Sequence, residues 1–355
     1  MNPILCIDLG KLAHNAKALS GQCRERGIEV AAVTKVFCAD SNMVKAICGQ
    51  GPAYLADTRL ENIARYPGAG PERILLRAPP PGGCGDVARG CDISLHSEMA
   101  TLGEMSTAAE RHAKKHGVVL MIDMGDLREG IYHANKDEIL KAADFAASRQ
   151  WLELCGIGVN LTCYGGTIPD AGIMGRFADL AGYLETRLQT KFRIISGGNS
   201  SSLDLMAKGG MPPAINHLRL GESIVRAEET AYQQPLEGLL SDVVTLEASL
   251  VEVQRKPSYP EGDIGLNAFG EKPRFEDKGF RTSGIVAMGR QDTDPAGLKC
   301  FDGGVRIMGA SSDHLIVDLT EANCAYGVGD VLRFSMNYSA ILRGFTSEYV
   351  KRRYA

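Results

Sequence analysis

Up to about residue 231, short apolar runs alternate with stretches in which apolar residues return at every third or fourth position. The runs read as buried strands and the stretches between them as amphipathic helices. The run Glu29–Cys38 opens as apolar and β-branched, and it carries Lys35 near its predicted C-terminal end. Further strands are predicted at Ala53–Ala56, Ile74–Arg77, Asp92–Leu95, Val118–Asp123, Leu154–Asn160, Phe192–Ser196 and, more weakly, Asn216–Leu220. Helical spacing appears before the first of them in Leu12, Ala16, Leu19 and Cys23. It returns in Asp137–Arg149 (Ile139, Leu140, Ala143, Ala147) and in Gly175–Gln189 (Phe177, Leu180, Ala181, Leu184, Leu188). Eight strand–helix units over about 200 residues predict an α/β fold, a closed parallel (β/α)8 TIM-like barrel spanning residues 9–231.

Past Ala231 the pattern changes. Val243–Val253 alternates over a long run, prolines 257, 260 and 273 punctuate loops, and His314–Leu319 and Val331–Met336 read as strands around the turn Gly327–Asp330. This predicts a C-terminal β-rich domain over residues 232–355. The short strand Pro3–Asp8 lies outside the count of eight and is expected to join that domain's sheet.

Composition narrows the class. An apolar content of 44% and a charged content of 23% fit a globular protein. Lys+Arg 39 against Asp+Glu 43 gives a net charge of −4, which disfavours a nucleic-acid or anionic-membrane partner. No apolar run reaches transmembrane length. Ten scattered cysteines without CxxC spacing suit reduced thiols and a cytoplasmic setting, not a disulfide framework or a zinc site.

Polar clusters fall at the predicted strand ends, where barrels place their chemistry. A lysine at such an end either marks the exit to solvent or serves as an amine nucleophile. The loop Asp123–Gly130 holds Arg128, either a solvated side chain or a guanidinium over the barrel mouth that grips an anion. Ser196–Ser202, with Asn199 and Ser200, reads as a phosphate cradle or as an ordinary capping turn. Arg219-Leu220-Gly221-Glu222-Ser223 follows the eighth strand, the usual phosphate corner of barrels. His112 and His116 have metal-ligand spacing but sit among Arg111, Lys114 and Lys115, and read as a solvated basic helix face, with no metal expected. Ser312-Asp313-His314 contains triad residue types on adjacent strand positions, which point to opposite faces.

Together these segments resemble the fold type III pyridoxal-phosphate enzymes of the alanine racemase superfamily, and within it the branch acting on ornithine. The likeness rests on Val33–Asp40, Gly125–Gly130, Asn160–Gly166, Ser196–Leu203 and Leu218–Ser223. It continues through Asn267–Gly270, Gly289–Asp292, Gly309–His314 and Thr346–Val350, nearly the whole chain. The resemblance implies pyridoxal 5'-phosphate as cofactor and Lys35 as its attachment point. It implies that Arg128 binds the cofactor's phenolic oxygen and the substrate carboxylate region. Asn199, Ser200, the backbone at Gly221 and Glu222, and Tyr338 would hold the phosphate. Arg219 would face the pyridine nitrogen and Asn160 would underlie the ring, where alanine racemases have histidine. Ala39 stands where they carry a phosphate tyrosine, and Leu266-Asn267 where a partner subunit supplies a tyrosine base. The second proton-transfer group is therefore open among Tyr164, Cys163 and His314.

An arginine opposite the ring nitrogen only donates. It would restrain the spread of negative charge, which favours returning a proton to Cα over decarboxylation. The resemblance thus implies a racemase of ornithine or lysine, with an alanine or broad-specificity amino-acid racemase as the alternative and a decarboxylase or a non-catalytic cofactor carrier as weaker ones. It further implies a head-to-tail homodimer whose C-terminal loops (Arg290, Asp292, Ser311, Asp313) cover the partner's barrel. A substrate ammonium of ornithine, or of lysine, would need an acidic partner, for which Asp292, Asp294 and Asp313 are candidates.

Overall fold

A computed structural model describes residues 3–355. They fall into two compact units, one of Gly10–Ser241 and one that joins the start of the chain, through Leu9, to Asp242–Ala355. Residues 232–241 stay with the first unit because its opening helix, Leu9–Arg24, holds them. Lys11 Nζ donates to Ser241 O at 3.1 Å, and the Asn15 amide takes both the N–H and the C=O of Leu240 at 2.8 Å.

Strand β1 (Ile4–Ile7) belongs to the second unit. The first unit contains β2 (Glu29–Val33), β3 (Tyr54–Asp57), β4 (Glu72–Leu75), β5 (Ile93–His96), β6 (His116–Asp123), β7 (Ile131–Tyr132), β8 (Leu152–Val159), β9 (Ile194–Ser196) and β10 (His217–Leu220). All pair in parallel, in the order β5-β4-β3-β2-β10-β9-β8-β6, and β5 pairs with β6 to close an eight-stranded barrel. The two-residue β7 lies beside β6 outside the ring. The eight expected strands are these eight.

Alternate strand positions fill the interior: Ala31, Tyr54, Ala56, Ile74, Ile93, Leu95, Val119, Met121, Cys155 and Ile194 form one packed cluster. Burying each large aliphatic among them contributes about 1.5–3 kcal/mol. The opposite strand faces meet helices such as Lys136–Ser148, which buries Ile139, Ala142, Ala143 and Ala146. Another, Ala171–Leu188, is started by the Asp170 side chain accepting from Ile173 N. A bulge opens the β6–β8 ladder after Val118, where Gly156 (φ +149°) approaches β9 so closely that a Cβ would lie 1.9 Å from Ile194 O.

One expectation fails here. The helix Met99–Arg111 ends before His112, Ala113 turns left-handed (φ +47°), and His116 opens β6 fully buried. It is not on a solvated basic face. Ser94 Oγ bonds Nε2 of both His116 and His96 at 2.8 Å, and His116 Nδ1 has no partner.

The second unit is an eight-stranded sheet. Its other strands are β11 (Val244–Pro257), β12 (Phe280–Val286), β13 (Leu298–Cys300), β14 (Arg306–Ala310), β15 (Leu315–Asp318), β16 (Val331–Met336) and β17 (Lys351–Tyr354). Its order is β13-β16-β11-β12-β15-β14, and β1 pairs antiparallel with β11 and parallel with β17. The N-terminal strand therefore closes into the C-terminal sheet. Ser311–His314 form the turn between β14 and β15, so the strand-face argument does not apply to Ser312, Asp313 and His314. Among the described residues, no helix is long and apolar enough to cross a membrane.

Candidate active site

Strand β2 stops at Val33, and Lys35 stands two residues beyond it, opening the 3-10 turn Lys35–Phe37. The turn is tightly determined. Thr34 O accepts from Phe37 N and Ala39 N, each at 3.2 Å, and Cys38 and Ala39 follow in left-handed conformations (φ 50° and 49°). Two consecutive non-glycine residues in that region are uncommon and persist where surroundings over-determine them. The surroundings here are buried: the Thr34 hydroxyl donates to Asp57 Oδ2 at 2.6 Å and so receives the Tyr66 phenol at 2.8 Å. Asp57 is held in turn by Arg59 N and Asn62 Nδ2 at 3.0 Å. Lys35 is thus delivered by a fixed backbone at the C-terminal end of the barrel.

The loops after β9 and β10 close on the same end. A Cβ on Gly221 would sit 2.7 Å from Val33 O, so only glycine lets this loop lie against the end of β2. Ser200 Oγ donates to Ser223 Oγ at 3.0 Å and accepts from Ser223 N at 3.3 Å, which joins the two loops through buried hydroxyls. Asn199 caps its own turn by accepting from Ser201 N at 2.9 Å, and its Nδ2 donates to Leu161 O at 3.2 Å. Glu222 is ion-paired with Arg226 at 2.9 Å; burial pushes its carboxyl up, against the charges of Arg226 and Lys35.

Arg219, 4% exposed, lies inside the barrel in space left by Gly158, whose Cβ would approach its NH1 to 3.3 Å. It donates to Val159 O at 2.7 Å, to Ser196 Oγ at 2.5 Å and to Asn160 Oδ1. Burial lowers its pKa to about 10, with Glu129 opposing, so it stays charged at neutral pH. Behind it, His217 Nδ1 bonds Ser196 Oγ at 2.8 Å; burial lowers this histidine to about 3, and its Nε2 is unpartnered. In front, Asn160 Nδ2 donates to Glu129, which also grips Arg128 with both oxygens. The line Arg128–Glu129–Asn160–Arg219–Ser196–His217 runs from the mouth into the core.

Cys163 and Tyr164 ride on the loop after β8, and a buried carboxylate holds that loop. Asp126 accepts from Thr162 N (2.9 Å), Cys163 N (3.1 Å), Tyr164 N (3.0 Å) and Thr167 N (3.1 Å), while its own carbonyl takes Gly165 N at 3.0 Å. Tyr164 is 76% exposed, and Cys163 Sγ accepts from Asn199 Nδ2 at 3.3 Å.

The remaining expected residues lie in the second unit. Ser311 O takes Arg290 N at 2.9 Å, which brings the segments 289–293 and 311–314 together. The Arg290 guanidinium pairs with Glu271 at 3.0 Å and lies 4.0 Å from the centre of the Phe269 ring. Ser311 Oγ takes His314 N at 3.1 Å, and His314 is exposed. Asp292 is buried on Gly289 N at 2.8 Å; burial raises its pKa, and the charge of Asp313 adds to the rise. Asp294 takes the Ser339 hydroxyl at 2.6 Å and caps the turn Pro295–Gly297. Asp313 is exposed and takes the Gln291 amide. Tyr338 opens the helix Tyr338–Thr346, capped by Asn337.

A lysine past β2, small-residue loops after β9 and β10 and a buried arginine thus share one end of the barrel. Residues 7–228 match the family model "Alanine racemase, N-terminal domain". The chain belongs to the alanine racemase family. Within that family it is 43% identical over 357 aligned positions to an ornithine racemase of Acetoanaerobium sticklandii, covering 99% of each chain. It is 35% identical to a lysine racemase of Thermotoga maritima, covering 99% of this chain and 98% of the relative. An alanine racemase of Bartonella henselae, whose crystal structure has covalently bound pyridoxal phosphate, shares its fold at a TM-score of 0.74. The identity there is 16% and the coverage 100% of both chains.

Two residues that organise this site carried no assigned role in the sequence. Glu129 and Asp126 stood inside the Arg128 loop, but apart from Arg128 itself the partners of their side chains named above lie between 31 and 41 positions away along the chain. The readable signal was two acidic side chains in a glycine-bracketed loop at a barrel strand end.

Proposed function

We propose that the protein is a pyridoxal-phosphate-dependent amino-acid racemase that interconverts L- and D-ornithine. The observation that carries this reading is Lys35 held just past β2, at the same barrel end as loops of buried hydroxyls and glycine, with Arg219 charged inside the same barrel. The donor set fits the cofactor. Lys35 would supply the amine for attachment, Ser200, Asn199 and the backbone at Gly221 and Glu222 would hold a phosphate, and Arg128 would hold an oxyanion. When bound, the cofactor supplies the electron withdrawal that makes an amino acid's Cα–H acidic.

In this reading Lys35 takes and returns the proton on one face. Arg219 donates without giving up its proton, which limits charge spread and favours return of the proton to Cα. Asn160 sits between Arg219 and Glu129 and would support the ring. Tyr164, Cys163 and His314 are the titratable groups for the other face. The relatives acting on ornithine and lysine favour a basic side chain as substrate, with lysine the second reading. Of the three aspartates Asp313 is the exposed one; its carboxylate takes the Gln291 amide, and it would take the substrate ammonium. Asp294 is committed to Ser339, and Asp292 is buried on a backbone amide. A side chain without that ammonium would leave the carboxylate unpaired, so alanine should be a poor substrate. The reading includes a head-to-tail homodimer in which Tyr338 reaches the phosphate and the loops bearing Arg290, Asp292, Ser311 and Asp313 cover the partner's barrel. It also includes a cytoplasmic setting, which the ten free thiols suit.

Chiral product analysis of ornithine, lysine and alanine tests the reading. Ornithine should racemise fastest; faster turnover of alanine would refute the substrate assignment while leaving the racemase reading in place.

A further inference from the structure

Arg219 is buried, and its hydrogen bonds go to a serine hydroxyl, a backbone carbonyl and an amide oxygen, all neutral. A buried cation without a counter-charge is costly. The carboxylate that reaches it does so through one side chain. Asn160 gives its NH2 to Glu129 and its oxygen to Arg219, so the amide joins an anion to a cation with the right polarity at both ends. The same carboxylate grips Arg128 through both oxygens. The backbone around Glu129 is fixed. Asp123 Oδ1 accepts from Gly125 N and Leu127 N, Asp126 anchors the facing loop, and Gly130 turns at φ +124° where a Cβ would strike Asp123 N at 2.4 Å.

We propose that Glu129 is a positioning residue of this site: the shared counter-charge of Arg128 and, through Asn160, of Arg219, which sets the direction in which both guanidiniums point. The proposal rests on the racemase reading above. Without the charge on Glu129, the Asn160 amide is held only by its bond to Arg219. If the amide turns over, its NH2 faces a guanidinium, donor against donor, and both arginines lose their aim toward the cofactor.

The test is a charge relocation, read first by binding. Apo-protein is titrated with pyridoxal 5'-phosphate, following visible absorbance. Glu129→Gln should weaken binding at least about tenfold and move the band maximum. The double variant Glu129→Gln with Asn160→Asp places the negative charge one side chain inward. The new amide then donates to the new carboxylate, which takes Arg219 directly. It should recover most of the lost affinity and the original band, which a merely structural role would not produce. Should Glu129→Gln fail to fold, Asn160→Leu, which removes the bridge together with any contact Asn160 makes to the ring, must weaken binding and shift the band by itself. Wild-type affinity and spectrum in Glu129→Gln or in Asn160→Leu, or a double variant worse than Glu129→Gln alone, would overturn the proposal. If the wild-type protein takes up no cofactor at all, the racemase reading falls, and this proposal with it. If it does and Glu129→Gln matches it, only this proposal falls.

Discussion

At the start of the barrel strands, Arg193 is ion-paired with Glu72, lies 3.6 Å from Glu153, and donates to Cys155 Sγ at 3.4 Å. Nearby, the Tyr54 phenol donates to Glu29 at 3.2 Å. At the ends of the same strands, Arg219 reaches a carboxylate only through Asn160, and Lys35 is held out by a strained turn. The floor therefore satisfies its charges by direct, half-exposed pairing. At the mouth Arg128 is also paired directly, on Glu129, but Arg219 is buried, aimed and compensated only through an amide. Charges balanced in place have little left to offer a ligand, whereas Arg219 retains directed capacity, in line with the placement of function at the C-terminal face of barrels.

The comparison is broken most severely by removing what rigidifies the mouth. Asp126→Ala leaves four backbone N–H groups without their acceptor. It should cost about 3 kcal/mol in stability and lower ornithine turnover about a hundredfold, measured by denaturant unfolding and by kcat/KM. Full activity in this variant would mean that the loop bearing Cys163 and Tyr164 needs no such anchor.

A third polar group sharpens the contrast. Ser94, His96 and His116 are as buried as Arg219 but line the outside of the barrel wall, and burial lowers His96 to about 3 and His116 to about 4. Both are neutral when folded, while in the unfolded chain they take up protons below about 6.5. The unfolded state then binds more protons, so stability falls as pH drops from about 6.5 toward those folded values. Between pH 7 and 5 each histidine should remove about 2 kcal/mol. His116→Gln should flatten that slope by about this amount in denaturant midpoints at the two pH values, and an unchanged slope would show that His116 is not linked to folding.

The smallest effect belongs to the floor. Glu72→Gln removes a pair that is more than a third exposed on both sides, and should change stability by about 0.5 kcal/mol and kcat/KM by less than about twofold. A large loss of activity would erase the distinction between the two ends.

Much of this architecture was legible in the chain. The eight strands, the N-terminal strand in the second sheet and the position of Lys35 follow from periodicity and from a charged residue at a strand end. Lys35 proved to lie past the strand because Thr34 is drawn into a buried contact with Asp57 and Tyr66, which the local pattern does not encode. His116 was misread because helical spacing continues past Arg111 in the sequence, whereas the backbone turns at Ala113. Glu129 and Asp126 were invisible as organisers for a related reason. A carboxylate's role is set by the donors that face it, and here those donors come from the loop after the next barrel strand.

The central claim is that Lys35 carries the cofactor in an amino-acid racemase. Borohydride reduction of the protein loaded with pyridoxal 5'-phosphate, followed by peptide mass mapping, tests it most directly. The account predicts a reduced phosphopyridoxyl group on the peptide containing Lys35, with loss of both the label and ornithine racemisation in Lys35→Ala. A label on any other lysine, or racemisation that survives Lys35→Ala, would contradict it.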